Sequence, residues 1–394
     1  MVFLLLNRIP ILVYLTYKEQ NNNMATKKKP EAKKKSILTD EDRKFFEAYI
    51  NNPSPTGFEA EGQKLWLNYI KPAIDKHEVD NYGTVYGIVN PEAKFKVAIE
   101  AHADEISWFV SYITAEGLIY VKRNGGSDHQ IAPSKKVWIH TRDGKKIPAV
   151  FGWPAIHTRK DGKEQHPEVK NIFLDLGCIT KKEVQEKGVH VGCVITYQDE
   201  FFVLNERYFG GRALDNRAGG FIIAKVARLL KENKKKLPFG LYIVNSVQEE
   251  VGLHGAAMVA HTIHPDCAII TDVCHDTTTP MIDKVVEGDF SSGKGPVLTV
   301  GPAVHNKLLD FIIATAKEKK LPYQMDAASR STGTDTDAFA YTRGGIPSAL
   351  ISLPLRYMHT TVELVSIDDL ENVVKLIYES LLKLTPKFDF KYLK

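Results

Sequence analysis

The sequence predicts an α/β protein in which one α/β domain is interrupted by an inserted β-rich domain. Helical and strand patterns alternate in both flanking parts, whereas residues 106–198 contain short alternating apolar runs separated by turn residues. The length of 394 residues is sufficient for two or three domains with full hydrophobic cores. We therefore expect a discontinuous α/β domain over residues 37–105 and 199–394, with the insertion over residues 106–198.

The first 36 residues are expected to lie outside both domains. Residues 1–23 are apolar, but Asn7, Arg8 and Pro10 interrupt them too early for a membrane span, and they lack the features of a signal peptide. Residues 24–36 contain six Lys and one Glu, which is typical of a disordered, solvated tail. Our hypothesis is that Met24 is the biological start and that residues 1–23 are mis-assigned.

Folded structure is predicted to begin near Thr39, which precedes an acidic first turn and can act as a helix cap. The first helix is expected to end at Asn51, and a turn-rich SPTGFE segment separates it from a second helix that continues to about Lys76. Apolar periodicity predicts the later elements. They are strands VYGIV and KVAIEA, the short strands of the insertion, a helix from DNRAGG, strands GLYIVNSV and CAIITDV, a helix near 307–319 and a final helix over 367–384.

Charge and cysteine content exclude several classes of protein. The net charge is +4, but residues 1–36 carry +6, so the remaining residues carry −2 and show no basic footprint for nucleic acid. The four cysteines form no C-x-x-C pair, which argues against both a disulfide framework and a thiolate zinc site. We expect a cytoplasmic protein with neither a nucleic-acid nor a membrane partner.

Ionisable residues recur where apolar strands end. In an open α/β sheet the carboxyl ends of the strands form the edge at which sites are built. The residues that follow or close predicted strands are His102, Asp104, Glu249, Glu250, Asp272 and His359, and Asp215 lies at a predicted helix start, where it can both cap the helix and project outward. Convergence of these side chains at one edge would place imidazoles and carboxylates together.

Five of these residues form a ligand set suited to two divalent cations. The set has two imidazoles and three carboxylates, which suits zinc, cobalt or manganese. Two such ions about 3.5–4 Å apart can share a carboxylate, activate a water molecule and polarise a substrate carbonyl, so hydrolysis is the predicted chemistry. The five predicted metal ligands are His102, Asp215, Glu250, Asp272 and His359.

Two further carboxylates have predicted catalytic roles. Glu249 and Glu250 are neighbours leaving a strand, so their side chains point in different directions, and Glu249 is free to act as the general base. Asp104 lies two residues after His102 on an extended segment, from which it can hydrogen-bond and orient that imidazole.

Each residue alone also has an ordinary structural explanation. A single His after a strand is usually a hydrogen-bonded polar residue, Asp215 can be only a helix cap, and adjacent Glu residues are usually a solvated turn. Composition and position leave this alternative open. Five candidate ligands occur at the ends of predicted strands or at a helix start, and this recurrence favours a metal site over five separate structural explanations.

The chain resembles the M42 family of metallo-aminopeptidases, the tetrahedral or glutamyl aminopeptidase group, over about residues 38–384. The matching segments occur in the family order. They are SPTGFE, AHADEISW, NIFLDLGCITKKEVQEKGVHVG, RALDNRAGG, VQEEVGLHGA, ITDV, GTDTDA and RYMHTTVE.

The resemblance implies a mixed-sheet metallopeptidase domain with helices on both faces, interrupted by a small β-barrel-like dimerisation domain. It implies that Asp215 bridges two ions, that His102 and Asp272 complete one site, and that Glu250 and His359 complete the other. Glu249 resembles the family's general base and Asp104 its orienting acid. Members assemble as dimers or as tetrahedral dodecamers that degrade short peptides, so we expect a homo-oligomer.

Two alternative functions remain open at this stage. A related binuclear deacylase or carboxypeptidase would keep the metal site and differ in the bond that is cleaved. A non-catalytic scaffold would keep the fold without its metals, but such a chain is expected to have lost ligands, and all five are present.

Overall fold

A mixed sheet with helices packed against it forms the α/β part of the chain. The computed structural model describes residues 36–159 and 165–393, so the predictions made for residues 1–35, including the start at Met24, lie outside the described residues. The α-helices in this part of the chain are α1 (Asp40–Asn51), α2 (Ala60–Ile70), α3 (Lys181–Glu186), α4 (Leu214–Glu232), α5 (His254–Ile263), α6 (Lys284–Glu287), α7 (Asn306–Lys319), α8 (Asp335–Ala340) and α9 (Ile367–Lys383).

The strands divide between an open sheet and a closed barrel. The open sheet contains β1 (Lys76–Val79), β2 (Val85–Val89), β3 (Lys96–His102), β10 (Phe202–Leu204), β11 (Tyr208–Gly211), β12 (Gly240–Ser246), β13 (Cys267–His275), β14 (Val297–Val300), β15 (Gln324–Ala327), β16 (Ser348–Arg356) and β17 (Glu363–Ser366). The barrel contains β4 (Ser107–Ile113), β5 (Ile119–Asn124), β6 (Lys136–His140), β7 (Lys146–Gly152), β8 (Phe173–Asp175) and β9 (Val194–Tyr197).

The open sheet is mixed, as predicted. Its main order is β1-β2-β12-β3-β13-β16-β17-β11-β10, with β14 and β15 branching from β16. The central strands β12, β3, β13 and β16 are parallel to their neighbours in this group, whereas β1, β2, β17, β11 and β10 form antiparallel pairs. The parallel centre brings several carboxyl ends of strands to one edge.

The barrel has its own apolar core. Trp108, Val137, Leu174 and Ile195 are fully buried inside it, which is the burial that alternating apolar and polar positions predict for strands with one inward face. A closed barrel also leaves no unpaired sheet edge. The barrel strands lie between Ser107 and Tyr197, and the exact domain boundaries stay a prediction.

Local sequence explains where the first helices begin and end. Thr39 caps α1 through a reciprocal capping box with Asp42, as its position before the acidic turn predicted. The second helix is shorter than predicted, because it ends at Ile70 and is followed by a 3-10 turn over Lys71–Ala73. Pro72 in that turn has no backbone N–H and so cannot donate the hydrogen bond that would continue the α-helix, although Lys71 before it keeps helical dihedral angles.

Helix α4 packs across the central strands. It contacts β3, β12 and β13, and its residues Phe221, Ile222 and Ile223 are fully buried. Within the described residues, the structure contains no helix that is both long enough and apolar enough to span a bilayer.

Candidate active site

Three parallel strands deliver the first group of site residues. His102 is the last residue of β3, and its register partner on β12 is Ser246, four residues before Glu250. Asp272 lies within β13, which continues past the predicted CAIITDV segment to His275. Since β12, β3 and β13 are parallel neighbours, these side chains meet at one sheet edge.

Asp215 lies between the two imidazoles. Its Oδ1 is 3.2 Å from His102 Nε2, and its Oδ2 is 3.3 Å from His359 Nε2. Asp215 does not cap the helix: it and Asn216 have non-helical dihedral angles, and the side chain of Asn216 accepts the backbone N–H of Gly219 at 2.9 Å at the start of the regular helix. The carboxylate is used instead to connect two histidines that are far apart in the sequence.

All five predicted ligands come together in the structure. One group of candidate ligand atoms comprises His102, Asp215 and Asp272, and a second comprises Asp215, Glu250 and His359, with the atoms of each group within 4.8 Å of one another. Asp215 belongs to both groups. Within the first group, His102 Nε2 lies 3.7 Å from Asp272 Oδ1. Within the second group, His359 Nε2 lies 3.5 Å from Glu250 Oε2.

The electrostatics of this cluster fit bound cations. Burial raises the pKa of Asp272 to about 8 and that of Glu250 well above its usual range, and the charge of Asp215 adds to both effects. Burial also opposes ionisation of Asp215, but hydrogen bonds from His102 and His359 hold its pKa below the usual value. Buried carboxylates that repel one another are stabilised when cations bind between them, so the donor set suits divalent metal ions.

Glu249 faces the same space without belonging to the two groups that share Asp215. Its Oε2 is 3.9 Å from His102 Nε2, and it also joins a third group of candidate ligand atoms with His102 and Glu250. Burial, with the negative charge of Asp272, raises the pKa of Glu249 to about 9. A nearby cation would favour its ionised form.

Asp104 contacts more than the imidazole that the sequence assigned to it. Its Oδ1 is 3.4 Å from His102 Nδ1, an electrostatic contact whose geometry does not form the predicted hydrogen bond. Its carboxylate also accepts backbone N–H groups of Glu249 at 3.0 Å and Glu250 at 3.2 Å. One fully buried carboxylate therefore fixes both the end of β3 and the turn after β12.

The sequence argument missed two polar residues that hold this arrangement. Thr56, in the SPTGFE segment, donates its hydroxyl to Asp104 Oδ2 at 2.9 Å. Glu363 accepts the backbone N–H groups of Asp215 and His359 through its two carboxylate oxygens. Both residues lie in segments that stood out as motifs, but only long-range contacts reveal what they do.

The cluster opens into a cleft of about 490 Å³. Such a volume is sufficient for one or two residues of a peptide. The wall beyond the predicted ligands and base includes Cys274, His275, Glu287, Phe290, Asp326, Thr332, Gly333, Thr334 and Met358.

Known proteins are similar to this chain in sequence and in fold. The chain is 32% identical over 348 residues to a lysyl aminopeptidase of Pyrococcus furiosus, covering 88% of this chain and 98% of the relative. A TET aminopeptidase structure from the marine sediment archaeon Thaumarchaeota archaeon SCGC AB-539-E09 matches with a TM-score of 0.83 at 29% identity, covering 88% of this chain and 97% of that one.

A second solved structure is the TET1 peptidase of Pyrococcus horikoshii, which can assemble into a tetrahedron or a large octahedral shell. It matches with a TM-score of 0.77 at 25% identity and covers 87% of this chain and all of that chain. The model of the M42 glutamyl aminopeptidase family matches residues 83–376, which include every predicted site residue. The chain therefore belongs to the M42 family of aminopeptidases, which are peptide hydrolases.

Proposed function

We propose that the protein removes N-terminal residues from short peptides by using two divalent metal ions. The observation that carries this proposal is the shared position of Asp215, which belongs to two groups of candidate ligand atoms at once. His102 and Asp272 would complete one site, and Glu250 and His359 the other. Zinc is the first candidate, and cobalt and manganese suit the same ligands.

When bound, the ions supply an activated water molecule and polarise the peptide carbonyl. Glu249 acts as the general base, because its carboxylate faces the cluster and stays outside the two groups that share Asp215. It accepts a proton from the attacking water and returns that proton to the leaving amine. This role requires ionised Glu249, and nearby cations would lower the pKa of its carboxyl group, which burial raises to about 9.

Asp104 acts as a positioning residue in this scheme. Its contacts with His102 and with the backbone of Glu249 fix the relative placement of a ligand and the base. Small errors in such placement are costly, since general-base catalysis needs hydrogen-bond reach to the transferred proton.

The test compares substrates with free and blocked α-amines. We expect the protein to hydrolyse aminoacyl anilides, to lose this activity when a chelator removes the metal, and to regain it with zinc or cobalt. Faster cleavage of N-acyl substrates would instead indicate a deacylase. Full activity after complete metal removal would refute the proposal.

We also propose a homo-oligomeric, cytoplasmic protein. The tetrahedral assembly of the P. horikoshii relative and a dodecameric PhTET1 structure support an assembly between a dimer and a dodecamer. We propose the barrel as the dimerisation domain, as the family resemblance implies. Four free cysteines, three of them buried, support a reducing compartment. Light scattering of the purified protein with and without metal measures the assembly, and a monomer under both conditions would contradict it.

A further inference from the structure

The barrel contributes a short turn to the surroundings of the candidate ligands. Strand β5 ends at Asn124, and Gly125 and Gly126 follow it. A pair of glycines is typical of a turn, and this pair has no part in the proposed catalytic scheme. In the folded chain the turn lies against Glu250 and His359, which belong to the loops after β12 and β16 of the open sheet.

Gly126 lies directly against the imidazole of His359. A Cβ atom at this position would be 2.6 Å from Nδ1 and 2.7 Å from Cε1 of the ring, which is too close for any side chain. The backbone of Gly126 is outside the left-handed region, so turn geometry does not require a glycine here. The close approach of the ring does require one.

The same turn provides an acceptor for the second ring nitrogen of His359. Nε2 faces Asp215 at 3.3 Å and Glu250 at 3.5 Å, which leaves Nδ1 to face Gly126. Burial opposes protonation of His359, but hydrogen bonding with Asp215 and, to a smaller extent, with the backbone of Gly126 raises its pKa. A backbone group that raises the pKa of an imidazole is an acceptor, so the carbonyl oxygen of Gly126 is the partner. Metal-binding imidazoles commonly donate their second N–H to such a carbonyl, which fixes the ring.

Gly125 lies against the other ligand on this side of the cluster. Its Cβ position would be 3.2 Å from Cβ of Glu250, and its φ of +75° lies in the region that favours glycine. The turn therefore contacts both Glu250 and His359, the pair proposed to complete one of the two ion sites. The pair that completes the other site, His102 and Asp272, lies within strands of the open sheet.

Buried hydrogen bonds fix the turn to the α/β part of the chain. Asn124 Nδ2 donates to the backbone carbonyl of Thr56 at 2.9 Å and to Ser107 Oγ at 2.8 Å. Ser127 Oγ donates to the backbone carbonyl of Ser107 at 2.6 Å. Thr56 itself donates its hydroxyl to Asp104, so the turn and the carboxylate that holds the Glu249 backbone share one support.

A second part of the barrel holds the loop that carries His359. Lys135, just before β6, donates from Nζ to Thr361 Oγ1 and pairs with Asp199 at 3.0 Å. Thr361 is buried and lies two residues after His359, whose φ is +61°. A residue with a side chain keeps such a backbone conformation only where its surroundings hold it there.

We propose that the barrel, through its Gly125–Gly126 turn and Lys135, positions Glu250 and His359 for one of the two ions, an inference that rests on the proposed two-metal function. The barrel is then part of the metal centre in addition to its proposed dimerisation role. The two glycines and Lys135 are positioning residues, because they contact ligands or the loop that carries one of them. Disturbing them should weaken binding of that ion and leave the other ion unchanged.

Zinc titration of Gly126→Ala tests this role. The added methyl group overlaps the His359 ring, so we expect the affinity for one ion to fall by about 10–100-fold, the usual effect of disturbing a group that supports ligands. The other ion should bind as in the wild type. Gly144→Ala, in the turn between β6 and β7, is the matched control. Its φ is +80°, and beyond its chain neighbours no atom of the described residues lies within 4 Å of the new Cβ, so it strains the barrel without touching the site.

Double variants identify the ion that is affected. Asp272→Ala should keep only the ion held by Glu250 and His359, and adding Gly126→Ala should release it. Glu250→Ala should keep only the other ion, and adding Gly126→Ala should leave the zinc affinity unchanged. Wild-type affinity for both ions in Gly126→Ala, or an equal loss in the two backgrounds, would overturn the inference.

Lys135→Met tests the same role without adding bulk, and it remains informative if Gly126→Ala does not fold. It removes the contacts to Thr361 and Asp199, so we expect a smaller loss of affinity for the same ion. Lys136→Met, at an exposed neighbouring position, is its control and should bind both ions normally. Unchanged zinc affinity in Lys135→Met would contradict the inference.

Metal binding and turnover together separate this inference from the proposed function. Two ions in the wild type, with no difference in zinc affinity between Gly126→Ala and Gly144→Ala, contradict only the inference. Selective loss of one ion in Gly126→Ala, in a protein that cleaves no free-amine substrate, supports the inference and contradicts only the proposed function. Fewer than two ions in the zinc-saturated wild type contradict both.

Discussion

The carboxylate of Glu363 accepts the backbone N–H of His359 at 2.8 Å. Its second oxygen accepts the backbone N–H of Asp215 at 3.1 Å, and the side chain is only 2% exposed. Glu363 begins β17, so this one residue connects the sheet to a candidate ligand on α4 and to another on the loop after β16. The backbone positions of two candidate ligands therefore depend on one buried acceptor.

Replacing Glu363 by Gln is expected to weaken metal binding by about 10–100-fold, the usual effect of removing a group that supports ligands. An amide has one acceptor oxygen, and its NH₂ group would face the second backbone N–H. Zinc titration measures the affinity, and excess zinc should restore most of the activity. Glu379→Gln, which removes only a surface ion pair with Lys319, is the control. Unchanged zinc affinity in Glu363→Gln would refute this support role.

Glu249→Gln is expected to lower kcat by about 10²–10⁴-fold while metal content stays near that of the wild type. The amide keeps the shape of the side chain but cannot accept the proton from water. Steady-state kinetics with elemental analysis of the same sample separates loss of the base from loss of metal. Wild-type turnover in this variant would show that the base is another group.

Asp215→Ala is expected to lose both ions, because Asp215 is the residue that both groups of candidate ligand atoms share. Asp272→Ala is the informative comparison, since Asp272 belongs to only one of those two groups. Elemental analysis after dialysis should show near-zero metal in the first variant and about one retained ion per subunit in the second. Two retained ions in Asp215→Ala would exclude a bridging role.

A buried ion pair far from the chemistry provides a stability test. Lys225 Nζ lies 2.9 Å from Asp42 Oδ2, and both side chains are fully buried. Lys225→Met is expected to destabilise the fold by about 3–5 kcal/mol, because it leaves an uncompensated buried carboxylate. Urea unfolding measures this loss. Adding Asp42→Asn, which removes the charge but keeps a side-chain acceptor for Thr39 and Tyr69, should recover part of it, and a further equal loss would contradict the ion-pair explanation.

The ion pair of Lys225 and Asp42 also predicts how the loss of unfolding free energy in Lys225→Met depends on pH. Burial opposes ionisation of Asp42, but hydrogen bonds from Lys225 and Tyr69 lower its pKa below the usual value. In the wild type its stabilising contribution is therefore complete above the unfolded pKa of about 4 and declines as the pH falls below it. In Lys225→Met the buried carboxyl is relieved by protonation, so the stability difference should narrow in acid. A difference that stays constant from pH 7 to pH 3 would contradict this.

The sequence predicted the convergence of the site residues because strand order and strand direction place them. His102 and the Glu249–Glu250 turn end neighbouring parallel strands, and apolar runs followed by ionisable residues reveal such ends. The inserted β-rich module was predicted in the same way from its short alternating runs, whereas its barrel-like form was implied by the family resemblance. The apolar periodicity of α2 predicts a helix that continues to about Lys76, but the α-helix ends at Ile70. Pro72 lacks the backbone N–H that would continue the helix.

Other features could not be predicted from local patterns. Asp215 was expected to cap its helix, but its two oxygens face histidines 113 and 144 residues away in the sequence, which only the folded structure shows. Glu363 and Thr56 support the site through contacts with residues distant in the sequence. Periodicity reports which face of an element is buried, and it carries no information on which distant polar groups meet there.

Anomalous diffraction from crystals grown with zinc tests the central claim most directly. Data collected at the zinc edge should show two peaks per subunit, about 3.5–4 Å apart, with the Asp215 carboxylate between them. His102 and Asp272 should bind one ion, and Glu250 and His359 the other. No peak at this cluster under saturating zinc, or a single ion that Asp215 does not contact, would contradict the two-metal account.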